Sequence, residues 1–128
     1  MSALAAVRHV LVVDDHVDAA ESLALLLQRE GHSVDVAFDG RDALAQYERA
    51  HHDAVIMDIG LPVLDGYECA RAMRRVQGDR ALLLIALTGW GHPEDRRRSE
   101  ASGFDHHLVK PVLPSELNAL LVAAQRTE

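Results

Sequence analysis

Short apolar runs recur along the chain, and each of them stops at a polar residue. The clearest runs cover residues 10–13, which end at Asp14, residues 54–57, which end at Asp58, and residues 82–87, which end at Thr88. Continuous apolar runs of this length are typical of strands that are buried on both faces, as they are in parallel sheets. The pattern therefore predicts buried strands whose final residues reach solvent.

Segments with helical spacing lie between these runs. Helices are predicted over residues 17–30, 41–50 and 67–76, from Pro93 to Gly103, and from about Ser115 onward, with further strands over residues 34–38 and 108–109. Gly31 and Gly103 follow two of the helices, where glycine is a common stop signal. The alternation of five strands with five helices predicts an α/β doubly wound fold with an open parallel sheet.

The composition indicates one globular domain. The chain has 128 residues, of which 48% are hydrophobic and 26% are charged, and a chain of this size buries about two-thirds of its unfolded surface. No linker or second domain is apparent, so we expect a single domain over residues 1–128 with a core at about 7–126. The lone cysteine, Cys69, has no internal disulfide partner, which favours a structural role over a reactive thiol and a reducing compartment.

The charge and the apolar runs exclude two classes of partner. The formal net charge is −7, which is the wrong sign for binding a phosphate backbone, so we expect no direct nucleic-acid binding. No apolar run approaches the ~18 residues that span a bilayer, and no leader segment is apparent. We therefore expect a cytoplasmic protein without membrane insertion.

The polar residues at the strand ends are the candidates for chemistry. Asp14, Asp15, Asp58, Thr88 and Lys110 each lie at the C-terminal end of a predicted strand. In a parallel sheet these ends share one edge, and ligands bind in the crevice at that edge where the strand order reverses. If the strand order is 2-1-3-4-5, the crevice lies between the first and third strands, which end in the three aspartates.

Three carboxylates in one crevice predict a bound cation. They repel one another by several kcal/mol at reduced dielectric unless a cation is present. An all-oxygen ligand set favours a hard ion, and Mg²⁺ uses one or two carboxylates together with a substrate phosphate. We expect Asp15 and Asp58 as direct ligands, Asp14 as a ligand through a water molecule, and the backbone carbonyl of Gly60 as a further candidate.

The same residues suit phosphoryl transfer, which depends on positioning and charge neutralisation. Asp58 is the predicted nucleophile and phosphoacceptor. Lys110 is expected to pair with the phosphoryl oxygens, and Thr88 to donate a hydrogen bond to one of them. Pro111 is a candidate cis proline that fixes the direction of the lysine.

These motifs resemble those of response-regulator receiver domains over essentially the whole chain. The matching segments are residues 12–15 (Val-Val-Asp-Asp), 57–62 (Met-Asp-Ile-Gly-Leu-Pro), 65–66 (Asp-Gly), 87–89 (Leu-Thr-Gly) and 109–111 (Val-Lys-Pro). The resemblance implies a flavodoxin-like fold with strand order 2-1-3-4-5, Mg²⁺ dependence, phosphorylation by a histidine kinase or a histidine phosphotransfer protein, and hydrolysis of the acyl phosphate by the domain itself. Residues 103–111 look most like receivers attached to hybrid sensor kinases, which implies a kinase in cis.

The sequence also predicts an output surface, because poorly anchored elements supply the moving parts of switches, and it departs from the family pattern at one position. The fourth helix, fifth strand and fifth helix are expected to form the output face, which also offers a homodimer interface. Receivers commonly place tyrosine or phenylalanine three residues before the lysine, where this chain has His107. Two alternatives remain for His107, a switch residue that moves with Thr88 or a partly exposed residue at a strand end.

Two other functions remain as alternatives. Phosphatases of the haloacid dehalogenase type also use a strand-terminal aspartate, but they need an acid two residues later, where His16 follows Asp14. A pseudo-receiver that binds partners without phosphorylation would be expected to have lost one of the site residues, and none is lost.

Other polar residues have weaker interpretations. The histidines form adjacent pairs, such as 51–52 and 106–107, rather than the i, i+4 spacing of helical metal ligands, so a transition-metal site is not favoured. The arginines at 71, 74, 75 and 96–98 look like solvated helix faces. The fourth helix has few apolar residues apart from Ala101, which predicts a poorly anchored helix. Trp90 either shields the acyl phosphate or packs on the surface.

Overall fold

The computed structural model describes residues 8–61, 64–89 and 93–126 of the chain. The strands are β1 His9–Val13, β2 Ser33–Ala37, β3 Ala54–Asp58, β4 Leu83–Thr88 and β5 His106–Val109. The helices are α1 Val17–Arg29, α2 Gly40–Ala50, α3 Gly66–Gln77, α4 Pro93–Ser102 and α5 Pro114–Arg126. The predicted elements are all present, and their ends differ from the sequence predictions by no more than two residues.

The five strands form one parallel sheet in the order β2-β1-β3-β4-β5. The strand order reverses between β1 and β3, whose final paired residues are Val13 and Met57. On the other side of β3, Thr88 of β4 pairs with Val109 of β5. The predicted fold class is therefore confirmed, and the polar residues that follow these positions meet at one edge of the sheet.

Side chains of each central strand alternate between two buried layers. Leu11 of β1 packs in a core with Tyr47 of α2 and Met73 of α3, and its neighbour Val10 packs in a second core with Leu121 of α5. Because successive strand residues point to opposite faces, a continuous apolar run fills both layers. This arrangement explains why the residues between the two ends of each central strand are apolar.

Polar side chains at the strand ends also start the helices. The Nδ1 atom of His16 accepts a hydrogen bond from the Ala19 N–H at 3.2 Å and caps α1. The carboxylates of Asp39 and Asp65 cap α2 and α3 in the same way. Capping satisfies the free N–H groups of the first helical turn and fixes where each helix begins. Each of these three helices therefore has a defined first turn after the strand that precedes it.

Helix α4 is held by polar contacts rather than by an apolar face. Its buried residues are Ser99 and Ser102, and Ala101, the apolar residue noted in the sequence of this helix, is exposed. The Ser102 hydroxyl accepts a hydrogen bond from Arg71 of α3 at 3.1 Å, and Arg98 lies 4.2 Å from the ring centroid of Tyr67. Arg71 and Arg98 are exposed, as interpreted from the sequence, and they also join α4 to α3.

Cys69 of α3 is a structural residue. Its side chain is fully buried, and its Sγ donates a hydrogen bond to the Gly40 carbonyl at 3.3 Å. Burial raises the pKa of the thiol to about 12, so the reactive thiolate is not populated near neutral pH. Within the part of the chain that the structure describes, no helix has the length and apolar character needed to cross a bilayer.

Candidate functional site

Three carboxylates converge at the C-terminal edge of the sheet. Asp14 and Asp15 follow β1, and Asp58 is the last residue of the neighbouring strand β3. Their carboxylate oxygens lie within 4.8 Å of one another. The parallel register of β1 and β3 explains this convergence, because Val13 pairs with Met57 and the acids come next on both strands.

Asp58 receives a hydrogen bond on each of its carboxylate oxygens. Lys110 Nζ lies 3.0 Å from Asp58 Oδ2, and the Gly60 N–H donates to Asp58 Oδ1 at 3.2 Å. The same ammonium group is 3.9 Å from Asp14 Oδ2. Lys110 is the only lysine of the chain, beside twelve arginines. Lysine carries a compact charge on a flexible side chain, and the only lysine of this chain lies at the carboxylate cluster.

The backbone at the end of the sheet sets the position of Lys110. Its N–H donates to the Thr88 carbonyl at 2.7 Å, which extends the pairing of β4 and β5 by one residue. The peptide bond between Lys110 and Pro111 is cis, as predicted. Thr88 is buried at the end of β4, one position beyond Leu87, which pairs with Asp58. The structure therefore brings Thr88, Lys110 and Asp58 to adjacent strand ends.

The loop that follows Asp58 is held against the sheet by a glycine. The Gly66 N–H donates to the Ile59 carbonyl at 3.0 Å. A Cβ atom at Gly66 would lie 2.8 Å from the Ile59 Cα, closer than real contacts allow. The start of α3 therefore packs directly on the backbone next to the phosphoacceptor candidate. Two residues of the predicted site region, Pro62 and Trp90, lie outside the described residues.

Asp14 is the buried member of the acidic cluster, whereas Asp15 is exposed. Burial raises the pKa of Asp14, the hydrogen bond from the His16 N–H opposes the rise, and the negative charge of Asp58 adds to it. The charge of Lys110 lowers the pKa of Asp14 and that of Asp15 raises it, and the net result is a pKa above the ordinary value. A further cation at this cluster would relieve the repulsion.

The donor set fits Mg²⁺. Three carboxylates within reach of one ion, with no sulfur and no imidazole among them, are the ligands of a hard cation rather than of a soft one. Gly60 lies two residues after Asp58 and is exposed, and its N–H contacts the Asp58 carboxylate.

In Mg²⁺-free buffer, Asp14→Asn is expected to raise the free energy of unfolding at neutral pH. A raised folded-state pKa means that this carboxyl favours the fold below its unfolded pKa of about 3.9 and that the benefit is lost as the pH rises through the folded-state value. Asparagine is neutral throughout and keeps an oxygen for the His16 N–H. Urea titrations of both proteins at about pH 7 and pH 3.5 test this. The gain should shrink at the acidic pH, and an equal gain at both would contradict the charge argument.

His107 of β5 is buried and faces α4. Its Nδ1 lies 2.6 Å from the Ser99 Oγ, so the ring is not a partly exposed strand-end residue. Ser99 was missed by sequence reasoning. The spacing of Ser99 and Ser102 could have identified Ser99, because residues three apart lie on the same face of a helix. These two serines are the buried residues of α4.

An apolar groove opens directly beside the acidic cluster. It has a volume of about 530 Å³ and is lined by Asp14 and Lys110 together with Leu23, Leu26, Pro111, Val112 and Pro114. Leu26 of α1, one of its lining residues, is an exposed apolar side chain. Exposed apolar surface at the rim of a polar site is typical of a docking surface. In the sequence, this groove is indicated by the run of leucines in α1, which has more apolar residues than one buried helix face requires.

The chain matches a known protein family over most of its length. The family described as the response regulator receiver domain matches residues 10–122. The chain belongs to that family. Receiver domains are the signalling switches of two-component systems. TcrA, a transcriptional regulatory protein of Mycobacterium tuberculosis, is 38% identical to this receiver domain over 117 residues. The match covers 91% of the chain but only 46% of TcrA.

Solved structures of receiver domains share the fold. The receiver domain of the sensor histidine kinase PA1611 from Pseudomonas aeruginosa, which has a magnesium ion in its active-site cleft, is 32% identical with a TM-score of 0.84. That match covers 93% of this chain and 98% of the other. The receiver domain of Ssk1 from Saccharomyces cerevisiae, solved with the histidine phosphotransfer protein Ypd1, is 27% identical with a TM-score of 0.82, covering 88% and 85%. The expected family and fold are therefore confirmed.

Proposed function

We propose that this receiver domain is a phosphoryl-accepting switch in which Asp58 takes a phosphoryl group from a phosphohistidine in the presence of Mg²⁺. The observation that carries the proposal is the convergence of Asp14, Asp15 and Asp58 with the only lysine of the chain, whose ammonium contacts Asp58 at 3.0 Å. The magnesium ion of the PA1611 receiver supports the choice of metal.

The transfer exchanges one bond to phosphorus for another. A carboxylate oxygen of Asp58 attacks phosphorus, the bond from phosphorus to the donor imidazole nitrogen breaks, and the imidazole leaves with the electron pair. Lys110 then pairs with the phosphoryl oxygens, and the Thr88 hydroxyl donates to one of them. Bound Mg²⁺, held by Asp15 and Asp58, by Asp14 through water and by the Gly60 carbonyl, would neutralise the charge of the phosphoryl group. Water later hydrolyses the acyl phosphate in the same site, so the catalysis is self-directed.

The phosphodonor is a sensor histidine kinase or a histidine phosphotransfer protein. The apolar groove beside Asp14 and Lys110 offers a surface on which such a partner can place its histidine in line with Asp58. The Ssk1 receiver, which resembles this chain, was solved with such a partner. The PA1611 receiver belongs to a sensor kinase, so attachment in cis is one arrangement for this domain. A cytoplasmic location is part of the same proposal.

The elements α4, β5 and α5 form the surface that changes on phosphorylation and is recognised by the next partner. The hydrogen bond between Ser99 and His107 joins α4 to β5 within this face. If phosphorylation draws Thr88 toward Asp58, the adjacent strand β5 and its His107 have to adjust, and α4 follows. The same face is the proposed interface for a homodimer.

Adding beryllofluoride and Mg²⁺, which imitate the phosphorylated state, is expected to shift the imidazole NMR signals of His107. The signals of His32 should stay unchanged, because that ring is fixed by other partners. Ser99→Ala should lower the free energy of unfolding by about 1 kcal/mol and reduce the shift at His107. Identical His107 signals in both states would remove this residue from the switch.

The other candidate functions fit less well. A phosphatase of the haloacid dehalogenase type needs an acid two residues after its nucleophile, and that position holds His16 after Asp14 and Gly60 after Asp58. His16 already caps α1 with its ring nitrogen. A pseudo-receiver would bind partners without phosphoryl transfer, so it would not need Lys110 at Asp58.

Phosphoryl uptake from acetyl phosphate tests the proposal. Intact mass spectrometry is expected to show one added phosphoryl group per chain with Mg²⁺ and none with EDTA. The Asp58→Asn variant should show no addition under either condition. A wild-type mass that never changes with Mg²⁺ and phosphodonor would favour the pseudo-receiver.

A further inference from the structure

A second cluster of metal-ligating side chains lies at the opposite end of the sheet from Asp58. His9 starts β1, Asp35 lies in the middle of β2, and His52 lies two residues before the start of β3. The Nε2 atoms of His9 and His52 lie 2.9 Å and 2.8 Å from the same oxygen, Asp35 Oδ2. One ligand atom from each residue falls within 4.8 Å of the other two.

We propose that His9, Asp35 and His52 bind a divalent transition-metal ion, for which Zn²⁺ is the probe. Two imidazole nitrogens with one carboxylate oxygen form a donor set that suits Zn²⁺ and related ions. The side chains of His9 and Asp35 are 34% and 45% exposed, so the cluster is open to an ion and to a water ligand. The all-oxygen site at Asp58 selects a different class of ion.

The backbone holds the three ligands in place. His9 and Asp35 lie on the same face of paired strands, where His9 pairs with Ser33 and the next same-face residue of β2 is Asp35. The His9 N–H also donates to Asp53 Oδ2 at 2.9 Å. A cluster built on strand positions and fixed backbone needs little rearrangement to bind an ion.

The buried histidines of the chain differ in how their ring nitrogens are used. His32 is a satisfied structural residue, since Nδ1 accepts from the Arg8 N–H and Nε2 bonds to the Asn118 side chain. His52 is 1% exposed, and its Nδ1 has no hydrogen-bond partner among the described residues. Its polar contact is therefore made through Nε2 toward the cluster, and no second hydrogen bond explains the burial of this ring.

The surroundings of His52 and Asp35 lower the pKa of both side chains. Burial lowers the pKa of His52, although its hydrogen bond to Asp35 partly offsets this. Burial opposes the ionised form of Asp35, but hydrogen bonds from His52 and His9 outweigh it and lower the pKa of the carboxyl. A neutral imidazole and an ionised carboxylate are the forms that ligate.

Zn²⁺ titration of the full chain against a chromophoric chelator tests this site, with excess Mg²⁺ present to occupy the Asp58 site. We expect one Zn²⁺ per wild-type chain and an affinity lowered at least ~10-fold by Asp35→Asn and by His9→Gln. The matched control is His51→Asn, which removes the histidine next to His52. The backbone φ of residue 51 is 52°, a left-handed conformation that asparagine tolerates. This variant should bind Zn²⁺ like the wild type.

Histidine ring NMR identifies the ligands in the same samples and shows whether the variants remain folded. Zn²⁺ should move the imidazole nitrogen signals of His9 and His52 and leave those of His32 in place. The proposal is overturned if no saturable Zn²⁺ binding occurs with Mg²⁺ present. It is also overturned if Asp35→Asn and His9→Gln bind with wild-type affinity, since the rings would then share Asp35 only as hydrogen-bond donors.

Discussion

Replacing Lys110 with alanine is expected to slow phosphoryl uptake by Asp58 roughly 100-fold or more. Removal of one preorganised donor from the charge that develops in a transition state has an effect of this size. In this chain the loss is not compensated, because the other cations are arginines and none of them contacts Asp58 among the described residues. The rate of mass increase with acetyl phosphate and Mg²⁺ measures the effect.

The same substitution is expected to change stability very little. The Lys110 side chain is 41% exposed, and exposed ion pairs contribute about 1 kcal/mol or less. A large loss of phosphorylation with a small change in the urea midpoint therefore separates chemistry from folding. Arg41→Ala, which removes an exposed cation of α2, is the matched control and should keep the wild-type rate. A Lys110→Ala rate within about twofold of the wild type would contradict the assigned role, given the ~100-fold expectation.

Arg74→Met is expected to lower the free energy of unfolding by about 2–3 kcal/mol, because it removes a set of charge-assisted hydrogen bonds from partly buried carbonyls. The guanidinium donates from Nε and Nη2 to the Gly103 carbonyl at 2.9 and 2.7 Å, and from Nη1 to the Leu82 carbonyl at 2.8 Å. It also pairs with Asp105 at 2.8 Å. These contacts join α3 to the start of β4 and to the turn between α4 and β5.

Urea unfolding measures this effect, and Arg75→Met is its matched control. Arg75 is the next residue of α3 and is exposed, so its replacement should change stability by less than about 0.5 kcal/mol. Methionine keeps much of the length of the arginine side chain and the helix propensity, which isolates the lost hydrogen bonds. Equal midpoints for the two variants would show that the Arg74 contacts do not stabilise the fold.

Much of the fold and of the acidic cluster around Asp58 could be predicted because both depend on local sequence. Apolar runs fix the buried strands, and a polar residue at the end of such a run has to reach the sheet edge. Asp14, Asp58 and Lys110 were therefore recognisable as one cluster before any coordinates were known. The strand order, which the family resemblance implied, places the first two side by side.

The contacts that sequence reasoning missed all join distant elements. A run of arginines on a helix does not show which neighbour crosses it, so Arg74 looked solvated. His9, Asp35 and His52 come from three separate segments, and no spacing rule connects them. Helical or paired spacing is the signal used for metal ligands, and it is absent when the ligands are assembled by strand register.

Mapping the phosphoryl group to a single residue tests the central claim most directly. After incubation with acetyl phosphate and Mg²⁺, borohydride reduces an aspartyl phosphate to homoserine, and peptide mass spectrometry then identifies the altered position. The account predicts homoserine at residue 58 alone, dependent on Mg²⁺. Modification of Asp14 or Asp15 instead, or a phosphoryl group carried on a histidine, would contradict it.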